Sequence, residues 1–278
     1  MANLKEIKSH IKSVSDTQKI TNAMYLIAST KMRSAKSLYT AHIPYFNMLE
    51  AEIKRISSGI NEKECPYITQ KQGTVAVLII ASDKGMCGDY NKSVIKAAEE
   101  AIKKYDGCKI YLIGEKLKKY FSAHNISYVN SFDFTIKSPD SNQANEIADY
   151  FCSRFISGEF SKVISVFAKS NPNGTYKVTE NLLLPISIEK SDSNKDYEYF
   201  PSKSVVIDNL IPQYISSQFY TMIIQSFFSE QNARMMAMDN ANKNARDMIT
   251  ELTLLYNHTR QNAITQEITE LSGERKKK

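Results

Sequence analysis

Apolar residues near the amino terminus fall at Ile7, Ile11, Val14, Ile20, Met24, Ile27 and Leu38. Steps of three and four lay such residues along one stripe of an amphipathic helix. No glycine precedes Gly59, and Pro44 is the single proline before Pro66. The pattern therefore predicts one helix from about Leu4 to Ile56, ~80 Å long at the rise of an α-helix. Pro44 is expected to bend it, because the ring removes a backbone donor and crowds the preceding turn. The carboxyl end repeats the theme. From about Asp208 to Leu271 there is no glycine, and Pro212 falls near the predicted first turn, where proline is tolerated. Phe219, Met222, Phe227, Met248, Leu252, Leu255 and Ile268 keep helical spacing, and Ala233, Ala237, Ala241 and Ala245 recur every fourth residue. That ridge of methyl groups would let a second helix approach closely, along an element of ~95 Å.

Helices much longer than about 25 residues seldom stand alone and pair as coiled coils. The two are separated by ~150 residues, so they are expected to run antiparallel with a domain inserted at one end. The stripe is imperfect as a heptad: Gln18 and Thr30 stand where a strict seam wants apolar groups. The competing reading is two helices of an ordinary bundle.

Between the helices the pattern alternates. TVAVLIIAS reads as a buried strand, NKSVIKAAEEAIKKY as a helix, KIYLIG as a strand and EKLKKYFSAH as a helix. ISYVNSF follows as a further strand, SNQANEIADYFCSRFIS as a helix, and KVISVFAKS and YKVTENLLLPI as two more strands. Strands alternating with helices imply βαβ units and a mostly parallel, Rossmann-like sheet covered on both faces. The expected organisation is a helix over 1–58, an α/β domain over 73–190, a polar linker over 191–207, a second long helix over 208–272 and a basic tail over 273–278. The fold class is thus an α/β central domain inserted between two long terminal helices that form an antiparallel coiled coil.

Composition narrows the uses of such a molecule. The 278 residues are 42% hydrophobic and 24% charged, as in ordinary globular proteins. The longest apolar run, Val75–Ile80, is strand-sized and far short of a membrane span, so any membrane association is expected to be peripheral. The start, MANLKEIKSHIKS, has neither the apolar stretch of a secretory leader nor the Arg-rich, acid-poor character of an organellar one. Synthesis and use in a cytosol are expected. Cys65, Cys87, Cys108 and Cys152 show no CxxC or Cys/His spacing and read as reduced thiols. The net charge of +6 is uneven: seven Lys/Arg fall in residues 1–40, and ERKKK closes the chain. Such asymmetry points to an acidic partner, which could be nucleic acid, a membrane surface or a protein.

Chemistry is sparse. The loop SDKGMCGDYN, with Ser82, Asp83, Gly85, Cys87 and Gly88, follows the first strand and opens a helix, where an open α/β sheet binds phosphate. It spells neither GxGxxG nor GxxxxGK[ST], and a tight turn accounts for both glycines. His10, His42, His124 and His258 show no ligand spacing, and no nucleophile, base and oxyanion donor assemble. No catalysis, cofactor or metal is expected. A nucleic-acid binder or a basic coiled-coil scaffold remains the alternative, but the first forty residues hold just two aromatics, Tyr25 and Tyr39.

Three segments carry a resemblance. KITNAMYLIASTKMRSAK is similar to KIT.AM..VA..K, the loop SDKGMCGDYN to SD.G.CG..N, and RMMAMDNANKNARDMITELTLLYNHTRQNAITQEITEL to RM.AM..A..NA followed by L.L.YN..RQ..IT.E. Together and in this order they resemble the gamma subunit of F-type ATP synthases over nearly the whole chain. The resemblance implies a non-catalytic rotating shaft, its coiled coil standing inside a hexamer of alternating alpha and beta subunits. It implies an α/β domain seated with the epsilon subunit on the ring of c subunits. It implies a peripheral place on the cytoplasmic face of a bacterial cell membrane, with no nucleic acid involved. By the same resemblance Arg260 and Gln261 would meet a catch loop of beta, and Met24 lies at a closely packed step. Lys19, Lys31, Arg33 and Lys36 are candidates to face an acidic lever of beta. The tail GERKKK departs from the family's small apolar ending. Its charges would be costly to desolvate in an apolar bearing, so the tail is expected to protrude or stay disordered. The disulfide-bearing insert of chloroplast relatives has no counterpart, so no thiol control is expected.

Overall fold

The computed structural model describes residues 4–57, 66–69, 71–132, 136, 138–171, 175–186, 199–200 and 202–275. Among the described residues nine elements follow in chain order: α1 (Leu4–Ser57), β1 (Thr74–Ile80), α2 (Tyr90–Lys104), β2 (Lys109–Ile113), α3 (Glu115–Ala123), α4 (Ser141–Ile156), β3 (Phe160–Ser170), β4 (Tyr176–Leu184) and α5 (Lys203–Arg275). Contacts divide the chain into two units, one of Ser29–Ala233 and one of Met1–Ala28 with Arg234–Lys278.

The larger unit is built on a four-stranded sheet of order β2-β1-β3-β4. β1 pairs in parallel with both β2 and β3, and β4 closes one edge antiparallel to β3. The central strand explains the layering. Successive side chains of a strand point to opposite faces, and in TVAVLII both faces are apolar. Ala76, Leu78 and Ile80 enter a core with α4, the end of α1 and the first part of α5. Val77, Ile79 and Ala81 enter a second core with α2 and α3. Every residue from Ala76 to Ile80 is fully buried, which is why this strand reads as a continuous apolar run rather than an alternating one. Gly114 turns the chain from β2 into α3 at φ +117°, where a Cβ would sit 2.5 Å from the Ala81 carbonyl oxygen. Only glycine fits there.

Three expectations change. The strand expected in ISYVNSF is reduced to a single bridge between Tyr111 and Val129, with the Val129 amide donating to the Ile110 carbonyl at 2.8 Å. Phe132 instead joins an aromatic cluster with Tyr111, Tyr150 and Phe151, so the segment closes over the core end-on. Second, α5 begins at Lys203, not near Asp208, which places Pro212 ten residues inside the helix rather than in its first turn. The helix persists because Ile207, Ile211, Ile215 and Phe219 bury one continuous face around the defect. α1 likewise runs as one element past Pro44.

Third, the apolar stripe of the smaller unit lies elsewhere on α1. Ile20 and Ile27 are 63% and 58% exposed. The packed positions are Ile7, Ile11, Val14, Gln18, Thr21, Tyr25 and Ala28, which alternate steps of four and three. On α5 the inward positions are Met238, Asn242, Ala245, Ile249, Leu252 and Tyr256, while Met248 and Leu255 face solvent. A period of 3.5 is the seam of a left-handed coiled coil, and it admits Gln18, Thr21 and Asn242 where the apolar residues of neighbouring turns do not fall.

Candidate functional site

The predicted contact residues lie on the helical pair, on α1 and α5. Within it the Thr21 hydroxyl donates to the Asn242 side-chain carbonyl at 2.5 Å. A polar pair inside an otherwise apolar seam fixes register at some cost in stability. In the larger unit the same two helices meet at Tyr39–Gln225, His42–Ser217, Tyr45–Gln213 and Phe46–Tyr214. Partner numbers fall from 225 through 217 to 213 and 214 as α1 runs from 39 to 46, so the helices are antiparallel.

The alanines divide. Ala245 is buried, whereas Ala233, Ala237 and Ala241 are half-buried. An every-fourth spacing drifts ~40° per step around a helix of 3.6 residues per turn, so it cannot follow a straight seam. Met24 is half-buried beside Tyr25. Lys19, Lys31, Arg33 and Lys36 are all exposed. Lys19 pairs with Asp16 at 3.0 Å, and with side-chain exposures of 74% and 54% that pair contributes little. Lys31 reaches to 6.0 Å from the Phe227 ring centroid. Three lysines of the same basic cluster, which the sequence did not mark as contacts, join them: Lys5, Lys8 and Lys12 line one trough with Lys19, where Asp16 is the single acid. Their spacing of three, four and seven residues is the signal that could have found them.

Arg260 and Gln261 lie in a stretch of α5, from residue 260 to 271, in which every residue is exposed. Neither side chain bonds to another described residue. The hydrogen bonds nearby stay within the helix, such as the Thr265 hydroxyl to the Gln261 carbonyl at 2.9 Å. Ile264, Ile268 and Leu271 stand bare at steps of four and three on this stretch. The end of the basic tail, 276–278, lies outside the described residues.

The loop after β1 is a structural tie. The Ser82 hydroxyl donates to the Lys84 carbonyl at 2.7 Å and lies 2.8 Å from the Asn91 side-chain oxygen, which also accepts the Ser82 amide. The Asn91 amide donates to the buried Cys87 sulfur at 3.2 Å. Gly88 and Met86 both take positive φ, near 60°, to close the turn. Asp83 accepts the Glu115 amide at the start of α3, 3.2 Å away, and burial holds its carboxyl above the ordinary range. The Ser82 amide and hydroxyl and the Asp83 carboxylate are thus engaged within the loop and with the start of α3. Among the described residues no group of His, Cys, Asp or Glu could hold a metal ion, and no helix is long and apolar enough to cross a membrane.

The class that the fold defines is a chain of two long terminal helices with an α/β domain on a four-stranded sheet between them in sequence. Residues 3–274 match the family described as ATP synthase. The ATP synthase gamma chain of Chlorobium limicola is 32% identical over 282 residues, covering 98% of this chain and 97% of the relative. That of Caldanaerobacter subterraneus subsp. tengcongensis is 34% identical, covering 96% and 97%. A chain of the Euglena gracilis mitochondrial ATP synthase OSCP/F1/c-ring structure shares the fold with a TM-score of 0.61 at 16% identity, over 96% of this chain and 93% of that one. A chain of the Tetrahymena thermophila central stalk/c-ring structure gives 0.58 at 20%, over 80% and 99%. The chain belongs to the ATP synthase gamma chain family.

Proposed function

We propose that this chain is the rotating shaft of a bacterial F-type ATP synthase, a non-catalytic subunit that couples ion flow to ATP synthesis or hydrolysis on beta subunits. The observation that carries it is a helical pair joined along one narrow seam, its remaining sides exposed, within a chain that aligns end to end with gamma chains. Its partners in this reading are a hexamer of alternating alpha and beta subunits around the pair, and the epsilon subunit and c-ring at the α/β domain. It works peripherally at the cytoplasmic face of the cell membrane. A shaft shifts a catalytic site only by touching its conformations with different free energy. The exposed cations Lys19, Lys31, Arg33 and Lys36 supply many weak, sliding charge contacts to an acidic lever. Arg260 supplies a planar fork suited to bidentate pairing with a carboxylate, beside Gln261. Packing along the seam, from Ile7 to Ala28 on α1 and from Met238 to Tyr256 on α5 with Ala245 within it, holds the pair stiff.

The test is reconstitution of alpha and beta subunits with and without this chain, following rotation of a bead on the α/β domain. Unidirectional, ATP-driven rotation is expected with the chain. A hexamer that hydrolyses ATP cooperatively and equally well without it would sink the reading.

A further inference from the structure

On the rotor reading, we propose that Tyr90, Ser226 and Ser229 form a torsional joint that fixes α5 to the α/β sheet, so that torque passes between them without slip. Up to Ile223 the buried face of α5 is chiefly aliphatic and aromatic: Ile207, Ile211, Ile215, Phe219 and Ile223 enter the first core. Contacts of this kind are non-directional. They resist separation and do little to resist a sideways turn of the helix about its own axis.

One turn further on the face becomes polar without becoming wet. Ser226 is 3% and Ser229 1% exposed. The Tyr90 hydroxyl, at the first residue of α2, donates to the Ser226 carbonyl at 3.1 Å and lies 2.8 Å from its hydroxyl. The Ser229 hydroxyl donates to the Ala168 carbonyl of β3 at 3.1 Å. Ala168 lies two residues beyond the last β1–β3 pair, Ile79 with Val166, so no strand of the sheet takes that carbonyl on the β1 side. Met222 shares the same face and accepts from the Ser165 hydroxyl at 3.1 Å. Positions 222, 226 and 229 follow the four–three step, which stacks them on one side of the helix.

None of these hydroxyls is needed to form α5, since a helical serine can bond its own upstream carbonyl. They are aimed outward instead, at two different elements of the α/β unit. Buried, directional bonds are costly to break, and a tangential load on α5 would stretch both at once. Tyr90 is a firm anchor: it is fully buried, its ring packs edge-on to Tyr176 at 5.4 Å, and it follows the loop tied by Ser82, Cys87 and Asn91. These are positioning residues, and none touches a substrate.

The experiment uses the full chain assembled with alpha and beta subunits, with a rod attached through Lys103→Cys on α2 and its angular fluctuations recorded while hydrolysis is paused. In Tyr90→Phe/Ser229→Ala the mean-square fluctuation should rise roughly twofold, because two directional bonds of a short buried network are gone. Ser229→Thr, which keeps a hydroxyl, should stay near the unmodified value. Tyr111→Phe removes a buried hydroxyl whose bond goes to Tyr150 of α4 and not to α5, and should cause no softening. Unchanged fluctuations in the double variant, or equal softening in Tyr111→Phe, would overturn the joint. Failure of the unmodified chain to assemble and rotate would overturn the rotor reading instead.

Discussion

The two units use apolar residues in opposite ways. In the α/β unit the apolar residues of the central strand and the ring cluster are buried together: β1 is buried on both faces, and Tyr111, Phe132, Tyr150, Phe151 and Phe160 pack ring against ring. In the helical pair it does not. Ile20, Ile27, Met236 and Leu254 are all more than half exposed, while Thr21, Arg234 and Asn242 are tucked inward. The α/β unit carries a core of its own. The pair has a seam and a surface, and its apolar residues are shared between the two. Exposed apolar stripes of this extent mark surfaces meant for a partner, so the contrast separates what folds the chain from what the chain is for.

The sharpest way to break the comparison is to strike the core. Phe151 is fully buried, stacked on Phe219 at 5.9 Å and edge-on to Tyr111 at 5.0 Å. Phe151→Ala should cost about 3–5 kcal/mol, the range for a large buried aromatic. Ile20→Ala on the exposed side of the pair should stay within about 0.5 kcal/mol. Urea denaturation of both variants checks this, and similar losses would mean the two units share one core.

Alkali should act on the same division. Burial raises the thiol of Cys152 to about 12, and burial chiefly raises the phenol of Tyr214 to about 12. Tyr90 and Tyr111 are raised as well, again mainly by burial. All four are neutral when protonated, so the folded chain holds these protons after the unfolded chain has begun to release them. Their contribution is whole below pH ~9 and is lost as pH rises towards the folded values. Each group in its window takes away about 1.4 kcal/mol per pH unit. The urea midpoint should fall steadily from pH 9 to 11, and a flat or rising midpoint would show that these side chains are not held in a dry core.

How much of this was legible depends on which unit a residue belongs to. In the α/β unit, strand and helix periods differ sharply, so VAVLII and NKSVIKAAEEAIKK announce their elements directly. The error there, the strand expected over Ile126–Phe132, arose because alternation marks a candidate strand and says nothing about whether a sheet edge has room for it. In the pair, hydrophobicity misleads. Ile20, Met24 and Ile27 look like a stripe, yet the seam runs through Gln18, Thr21 and Tyr25, and spacing alone could have separated the two. The tie made by Ser82, Cys87 and Asn91 follows from the motif only as a tight turn; its hydrogen bonds needed coordinates. Arg260 and Gln261 came from resemblance, since nothing about a bare Arg–Gln step distinguishes it from any solvated helix.

The gentlest test sharpens the comparison from the side of the pair. If its seam serves register more than stability, replacing the Thr21–Asn242 bond with Thr21→Val and Asn242→Leu should leave the midpoint within about 1 kcal/mol, because a hydrogen bond exchanged for a matched apolar contact is nearly neutral. Register should loosen all the same. The Thr21–Asn242 contact sets Val14 opposite Ile249, so cysteines at 14 and 249 should cross-link in the parent chain, and cysteines at 14 and 252 should not. In the apolar double variant both pairs should appear among the cross-linked peptides identified by mass spectrometry. A single residue pair would then be holding helices whose other contacts tolerate a shift. Were the variant to keep the parent's cross-links alone, register would have to be set in the larger unit, by contacts such as His42 with Ser217, and the seam would be a follower of the α/β core.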